Sequence, residues 1–122
     1  MRALVPGTAR GEVVRLDEGL SFWGGYDPET GTIIDRSHPQ RGQSLAGKIV
    51  VMPQGRGSSS ASSVLAEALR LGTGPAAIVL GEPDQILVIG SLVAGLLYGV
   101  ECPIYLGDPG ELSEGYVELG ET

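Results

Sequence analysis

A layered α/β domain, with a mixed sheet and its helices in the second half, is the fold this sequence predicts. Two observations predict it. The first half carries short β-branched segments separated by glycine turns. The second half alternates strand-like apolar runs with longer helix-like ones. The chain's 122 residues suit one hydrophobic core, so a single domain over residues 1–122 is expected. The 20 glycines and 8 prolines form no repeat; they punctuate apolar segments, which argues for many turns and for backbone brought close to something.

Residues 9–16 hold Val13, Val14 and Leu16 and are followed by the turn formers Asp17, Glu18 and Gly19, so they read as a strand. Ser21-Phe22-Trp23-Gly24-Gly25-Tyr26-Asp27-Pro28-Glu29-Thr30-Gly31 runs from an aromatic cluster through a Gly-Gly step to an Asp-Pro turn signal, a structured loop. Residues 32–34 are a short strand candidate. The polar stretch 35–44, with His38-Pro39 and Gly42, excludes a regular helix. Residues 48–52 form the clearest strand and stop at Pro53. In residues 64–72, Val64, Leu65, Ala68, Leu69 and Leu71 approximate one helical face, Gly72 suits the position past the C-cap, and a preceding serine suits the N-cap. Residues 76–80 read as a buried strand, 82–98 as a helix and 103–106 as a strand. The tail 108–122 has five acidic residues and little periodicity, which suggests partial disorder, although Tyr116-Val117-Glu118-Leu119 could pair as an edge strand.

Eight basic against fifteen acidic residues give a formal charge of −7, which disfavours binding to a phosphate backbone, so no nucleic-acid partner is expected. The longest apolar stretch, 86–100, is interrupted by Gly90, Ser91, Gly95, Tyr98 and Gly99 and falls short of the roughly 20 residues a bilayer span needs. No membrane association is expected. The first ten residues lack the apolar run of a signal peptide and one cysteine cannot form an internal disulfide, so a cytoplasmic location is the default expectation.

The strongest chemical signal is Gln54-Gly55-Arg56-Gly57-Ser58-Ser59-Ser60-Ala61-Ser62-Ser63, between a strand and a helix start. Such a loop presents unpaired backbone N–H groups and the positive end of the helix dipole, both favouring an anion. Arg56 adds a positive charge, the serines add adaptable donors and acceptors, and Gly55 and Gly57 let the backbone approach a ligand. The loop suits a carboxylate or a phosphate. The alternative is a flexible linker followed by an ordinary serine N-cap. No Gly-Lys-Ser or Gly-Lys-Thr follows at P-loop spacing, which disfavours nucleotide hydrolysis.

His38 is the sole histidine and cannot pair with a second one in a metal site; it reads as a turn or surface residue, with proton transfer the alternative. Cys102 reads as a core thiol rather than a nucleophile. Phe22, Trp23 and Tyr26, three of the six aromatics, form either a small structural core or, through Phe22 and Trp23, a ligand wall or a partner surface. Asp27 and Asp35 read as turn and loop caps rather than a carboxylate pair.

Taken together, the Ser21–Gly31 segment, Asp35 through His38-Pro39, and Gly55-Arg56-Gly57-Ser58-Ser59-Ser60-Ala61-Ser62-Ser63 resemble the swivel domain of aconitase X in order and spacing. The resemblance continues through Pro75-Ala76-Ala77-Ile78-Val79 and residues 84–98. It covers residues 8–106 as the core, leaving 107–122 as an acidic tail.

The resemblance implies a swivelling β/β/α domain, fused to a catalytic domain or free as a small subunit, in dehydratases related to aconitase. It implies an aconitase X type large subunit as partner and places the iron-sulfur cluster or iron there, with no cofactor in this chain. Known members dehydrate cis-3-hydroxy-L-proline in bacteria or phosphomevalonate in archaea. The serine run 58–60 and Phe22-Trp23 resemble the bacterial form, so dehydration of cis-3-hydroxy-L-proline, a small-molecule carboxylate, is expected ahead of phosphomevalonate dehydration. Ala61 stands where glycine is usual. By the same resemblance Ser58 is the base that removes the proton α to the carboxylate, Arg56, Gly57, Ser59 and Ser60 bind the substrate, and the partner's iron acts as Lewis acid on the departing hydroxyl. A non-catalytic anion-binding regulatory module and a purely structural subunit are the competing readings.

Overall fold

Ile49, Val50, Val51 and Met52 are four apolar residues in a row because the strand they form is covered on both faces. In the computed structural model, which describes residues 1–56 and 59–120, eight strands and two α-helices follow in the order β1 (Arg2–Val5), β2 (Ala9–Arg15), β3 (Tyr26–Asp27), β4 (Thr32–Ile33), β5 (Ile49–Met52), α1 (Ala61–Leu71), β6 (Ala77–Leu80), α2 (Gln85–Tyr98), β7 (Ile104–Leu106) and β8 (Tyr116–Leu119). Six strands make one mixed sheet in the order β1-β7-β6-β5-β2-β8. The inner four run parallel, and β1 and β8 close the two edges antiparallel.

Alternation along the strands divides the core. Val50, Met52, Ile78, Leu80 and Ile104 point to the face where α1 and α2 lie, joined there by Leu20, Phe22, Tyr26 and Ile33 from the β2–β5 crossover. Ile49, Val51, Ala77, Val79 and Tyr105 point the other way, where Leu112, Val117 and Leu119 of the C-terminal segment pack on them. That segment carries a 3-10 turn over Pro109–Glu111 with a reciprocal cap between Asp108 and Glu111, and then β8, the edge strand that the Tyr116-to-Leu119 pattern suggested.

The helices pack through small residues. A Cβ on Gly90 would lie 2.8 Å from the carbonyl oxygen of Ser62, so α1 approaches α2 closely because that position is glycine. Gly72 ends α1 in the left-handed conformation (φ 81), its amide bonding back to the last turn, as expected for a glycine past the C-cap.

Three local expectations are corrected. The second helix starts at Gln85, not at 82, because the Asp84 carboxylate accepts from the amides of Ile86 and Leu87 and caps the helix there. Ser60 occupies the N-cap position of α1 but has helical φ/ψ and makes no side-chain capping bond; the first turn is held by main-chain bonds and by the Ser62 hydroxyl on the Ser59 carbonyl. His38 lies in a turn, yet it is buried. The strand β1 was not anticipated.

Candidate functional site

β2, β5 and β6 run parallel, so their carboxyl ends reach the same edge of the sheet, and the loops leaving those ends meet there. Ser21 forms a parallel bridge with Arg56. A Cβ on Gly19 would stand 2.3 Å from the carbonyl oxygen of Gln54 and 2.9 Å from Cγ of Arg56. From the other side, a Cβ on Gly81 would stand 2.6 Å from the Pro53 carbonyl oxygen, and one on Gly55 would stand 2.0 Å from Oδ2 of Asp84. The glycine loop after β5 is therefore clasped between the loops after β2 and β6, and glycines at 19, 55 and 81 make the clasp sterically feasible.

The structure brings Arg56, Ser59 and Ser60 together at this edge, at the start of α1; Gly57 and Ser58 lie outside the described residues. The Arg56 guanidinium stands 3.6 Å from the Glu18 carboxylate, with both side chains more than half exposed. An ion pair that open contributes about 0–1 kcal/mol, so Arg56 is held in place without being neutralised against a ligand. Ala61 is buried in the core, so its methyl group fills the space against which the helix begins.

Asp35 and His38 flank the same edge. The hydroxyl and amide of Ser37 donate to Asp35 and hold its carboxyl below the usual range, with smaller contributions from His38 and Arg56. In the His38 ring, Nδ1 accepts from the Gln40 amide at 3.0 Å, which leaves the proton on Nε2, 3.2 Å from the Glu18 carbonyl oxygen. His38 thus braces the segment whose carboxylate meets Arg56. Sequence reasoning missed Glu18, which no spacing rule joins to Arg56. It also missed Asp84, although an Asp before an apolar run is an N-cap signal.

Asp27 and Asp35 are turn caps, as expected: Asp27 accepts from the Glu29 amide. Phe22 and Tyr26 are buried with ring centroids 4.8 Å apart, whereas Trp23 beside them is 58% exposed. The aromatic segment therefore provides both a small core and an outward-facing indole. Cys102 is a core thiol at the opposite pole, just before β7, and burial pushes its pKa up to about 12.

The donors among the described residues do not fit an iron or iron-sulfur centre. Among the described residues no group of three or more His, Cys, Asp or Glu side chains could hold a metal ion. Both nitrogens of the one histidine are engaged, and the one thiol is buried away from the loop edge.

A family model described as the aconitase X swivel domain matches residues 1–116. The chain belongs to the aconitase X swivel domain family. It is 50% identical over 103 residues to the cis-3-hydroxy-L-proline dehydratase of Pseudomonas aeruginosa, covering 84% of this chain and 18% of that protein. The chain therefore spans about a fifth of that relative. It is also 43% identical over 95 residues to the phosphomevalonate dehydratase small subunit of Thermococcus gammatolerans, covering 78% of this chain and 72% of that one. Among solved structures, the holo-form of aconitase X from Thermococcus kodakaraensis superposes with a TM-score of 0.84 at 39% identity, covering 96% of this chain and 86% of its counterpart. The swivel domain thus occurs both within a long chain and as a short free-standing one. Among the described residues, no helix of this one is long and apolar enough to cross a membrane.

Proposed function

We propose that this chain is the small subunit of an aconitase X type hydro-lyase that dehydrates cis-3-hydroxy-L-proline at a site shared with an iron-containing large subunit. The observation that carries this reading is the 50% identity to the P. aeruginosa cis-3-hydroxy-L-proline dehydratase, a longer match than the 43% identity to the phosphomevalonate dehydratase small subunit. A cytoplasmic setting belongs to the same reading.

In this proposal Ser58, its own hydroxyl proton first released to solvent, takes as the alkoxide the proton from the carbon α to the substrate carboxylate, and the C–H electron pair becomes the new double bond as the β-hydroxyl leaves. Departure of that hydroxyl is assigned to the partner's half of the site. Serine is a weak base in water, so the alkoxide must be stabilised where it forms. The half-exposed guanidinium of Arg56 and the positive end of α1 supply positive potential at this edge of the sheet, which supports the assignment. Arg56, Gly57, Ser59 and Ser60 bind the carboxylate, with Arg56 exchanging Glu18 for the substrate at little cost.

The test is an assay of the co-expressed large and small subunits against cis-3-hydroxy-L-proline and phosphomevalonate side by side, with the small subunit alone as control. Turnover of the hydroxyproline only by the pair is expected. Preference for phosphomevalonate would move the substrate assignment to the archaeal type, and turnover by the small chain alone would overturn the shared site.

A further inference from the structure

Helix α2 is apolar on the wrong side for a free-standing domain. Its fourteen residues include no charged side chain. Leu87, Gly90, Ser91 and Ala94 face the core, but Ile89, Leu92 and Leu96 are 52%, 48% and 86% exposed. Spaced i, i+3 and i+7, these three lie on one outer stripe. A cavity of about 330 Å³ opens beside the stripe, lined mainly by apolar residues, among them Leu92, Leu96, Val100, Val5 and Pro6, with Glu101 as its one charged side chain, and it is large enough to accept an apolar side chain. A contiguous apolar stripe with no charge on its own helix has the composition of an interface core rather than of a solvated surface.

We propose that this face of α2 is the seat of the aconitase X large subunit, an inference that rests on the two-subunit reading above. Three observations favour that occupant over a second copy of the chain. In the P. aeruginosa relative this domain is 18% of the protein, so a much larger body adjoins it there. Acidic residues stand at both ends of the face, Glu82 and Asp84 before α2 and Glu101 after it, so parallel or antiparallel self-pairing of the helix would bring carboxylates together in a chain already at −7. The Asp84 end of α2 lies against Gly55, so a body seated along the helix, about 21 Å long, reaches the glycine loop from that end.

The test places a charge on the stripe. Leu96→Glu and Leu92→Glu are compared with Tyr116→Glu, an exposed apolar residue on β8, in binding titrations with the large subunit. Circular dichroism and thermal midpoints monitor folding. Both leucine variants should bind at least about 30-fold more weakly while Tyr116→Glu binds normally. Hydrogen exchange on the wild-type complex, which needs no variant, should show protection across residues 89–97. Normal binding by Leu96→Glu, or no protection there, overturns the proposal. A concentration-dependent dimer of the isolated chain that Leu96→Glu dissolves assigns the face to a second copy and also overturns it. An assembled wild-type pair that dehydrates neither substrate would overturn the functional reading and leave the docking face standing, whereas a large subunit that does not bind the wild-type chain overturns both.

Discussion

A Cβ built on Gly55 would sit 2.0 Å from Oδ2 of Asp84, the carboxylate that caps α2. One contact thus joins the glycine loop to the start of the second helix. Gly55→Ala should displace Asp84 and forfeit its capping bonds, lowering stability by about 0.5–2 kcal/mol. In an Asp84→Ala background the obstruction is gone, and Gly55→Ala should be nearly neutral. A double-mutant cycle on thermal midpoints checks this, and additive losses would show that the two residues are not coupled.

The proposed role of Ser58 as general base predicts that Ser58→Ala reduces kcat of the co-expressed pair by about 10²- to 10⁴-fold, the usual scale for such a loss, with folding and subunit association intact. Ser60→Ala should do less. Measuring kcat and thermal midpoint on the same preparation decides: near-normal turnover with a lowered midpoint would return the serine run to a structural role.

Arg56→Ala should raise KM several-fold and leave the thermal midpoint nearly unchanged, because the ion pair it abandons with Glu18 is long and exposed. Glu18→Gln should act oppositely on KM, since it releases the guanidinium for the substrate. If both variants moved KM the same way, Glu18 would be a holder of Arg56 rather than a competitor for it.

Trp23 is the only tryptophan and is more than half exposed beside the buried Phe22–Tyr26 pair. If the aromatic loop also meets the large subunit, its emission should shift to shorter wavelength on mixing with a tryptophan-free variant of that partner. An unchanged spectrum in a formed complex would leave the loop outside the interface.

Alkaline pH should destabilise the chain through two buried acids. Desolvation raises Cys102 and Tyr26 each to about 12. In the unfolded chain the thiol and phenol lose their protons near their ordinary values of about 8.5 and 10. Above those values the unfolded state binds fewer protons than the folded state, so stability falls as pH rises from about 9 towards 12 and is fully present below that range. Thermal midpoints between pH 8 and pH 11 should decline, less steeply in Cys102→Ala. A thiol reagent at pH 8 should leave the native protein unlabelled; rapid labelling would contradict the burial of Cys102.

Local sequence determined those elements whose cause is local. Four consecutive apolar residues made β5 a doubly covered strand, and Gly72 ended α1 because only glycine enters the left-handed region cheaply. The serine loop between them was legible by composition and position, and it was one of the three segments that carried the family resemblance. What the sequence alone could not reveal depends on partners distant along the chain. Arg2–Val5 becomes a strand because β7, a hundred residues later, offers it an edge, and no propensity in four mixed residues announces that pairing. Glu18 meets Arg56, and His38 is buried against the Glu18 carbonyl, because two parallel strands end at one edge and deliver their loops together. In sequence the outer leucines of α2 look no different from its inner ones, since hydrophobicity reports what must leave water but not which surface will cover it; only the packed structure separates the face turned to the sheet from the face still open.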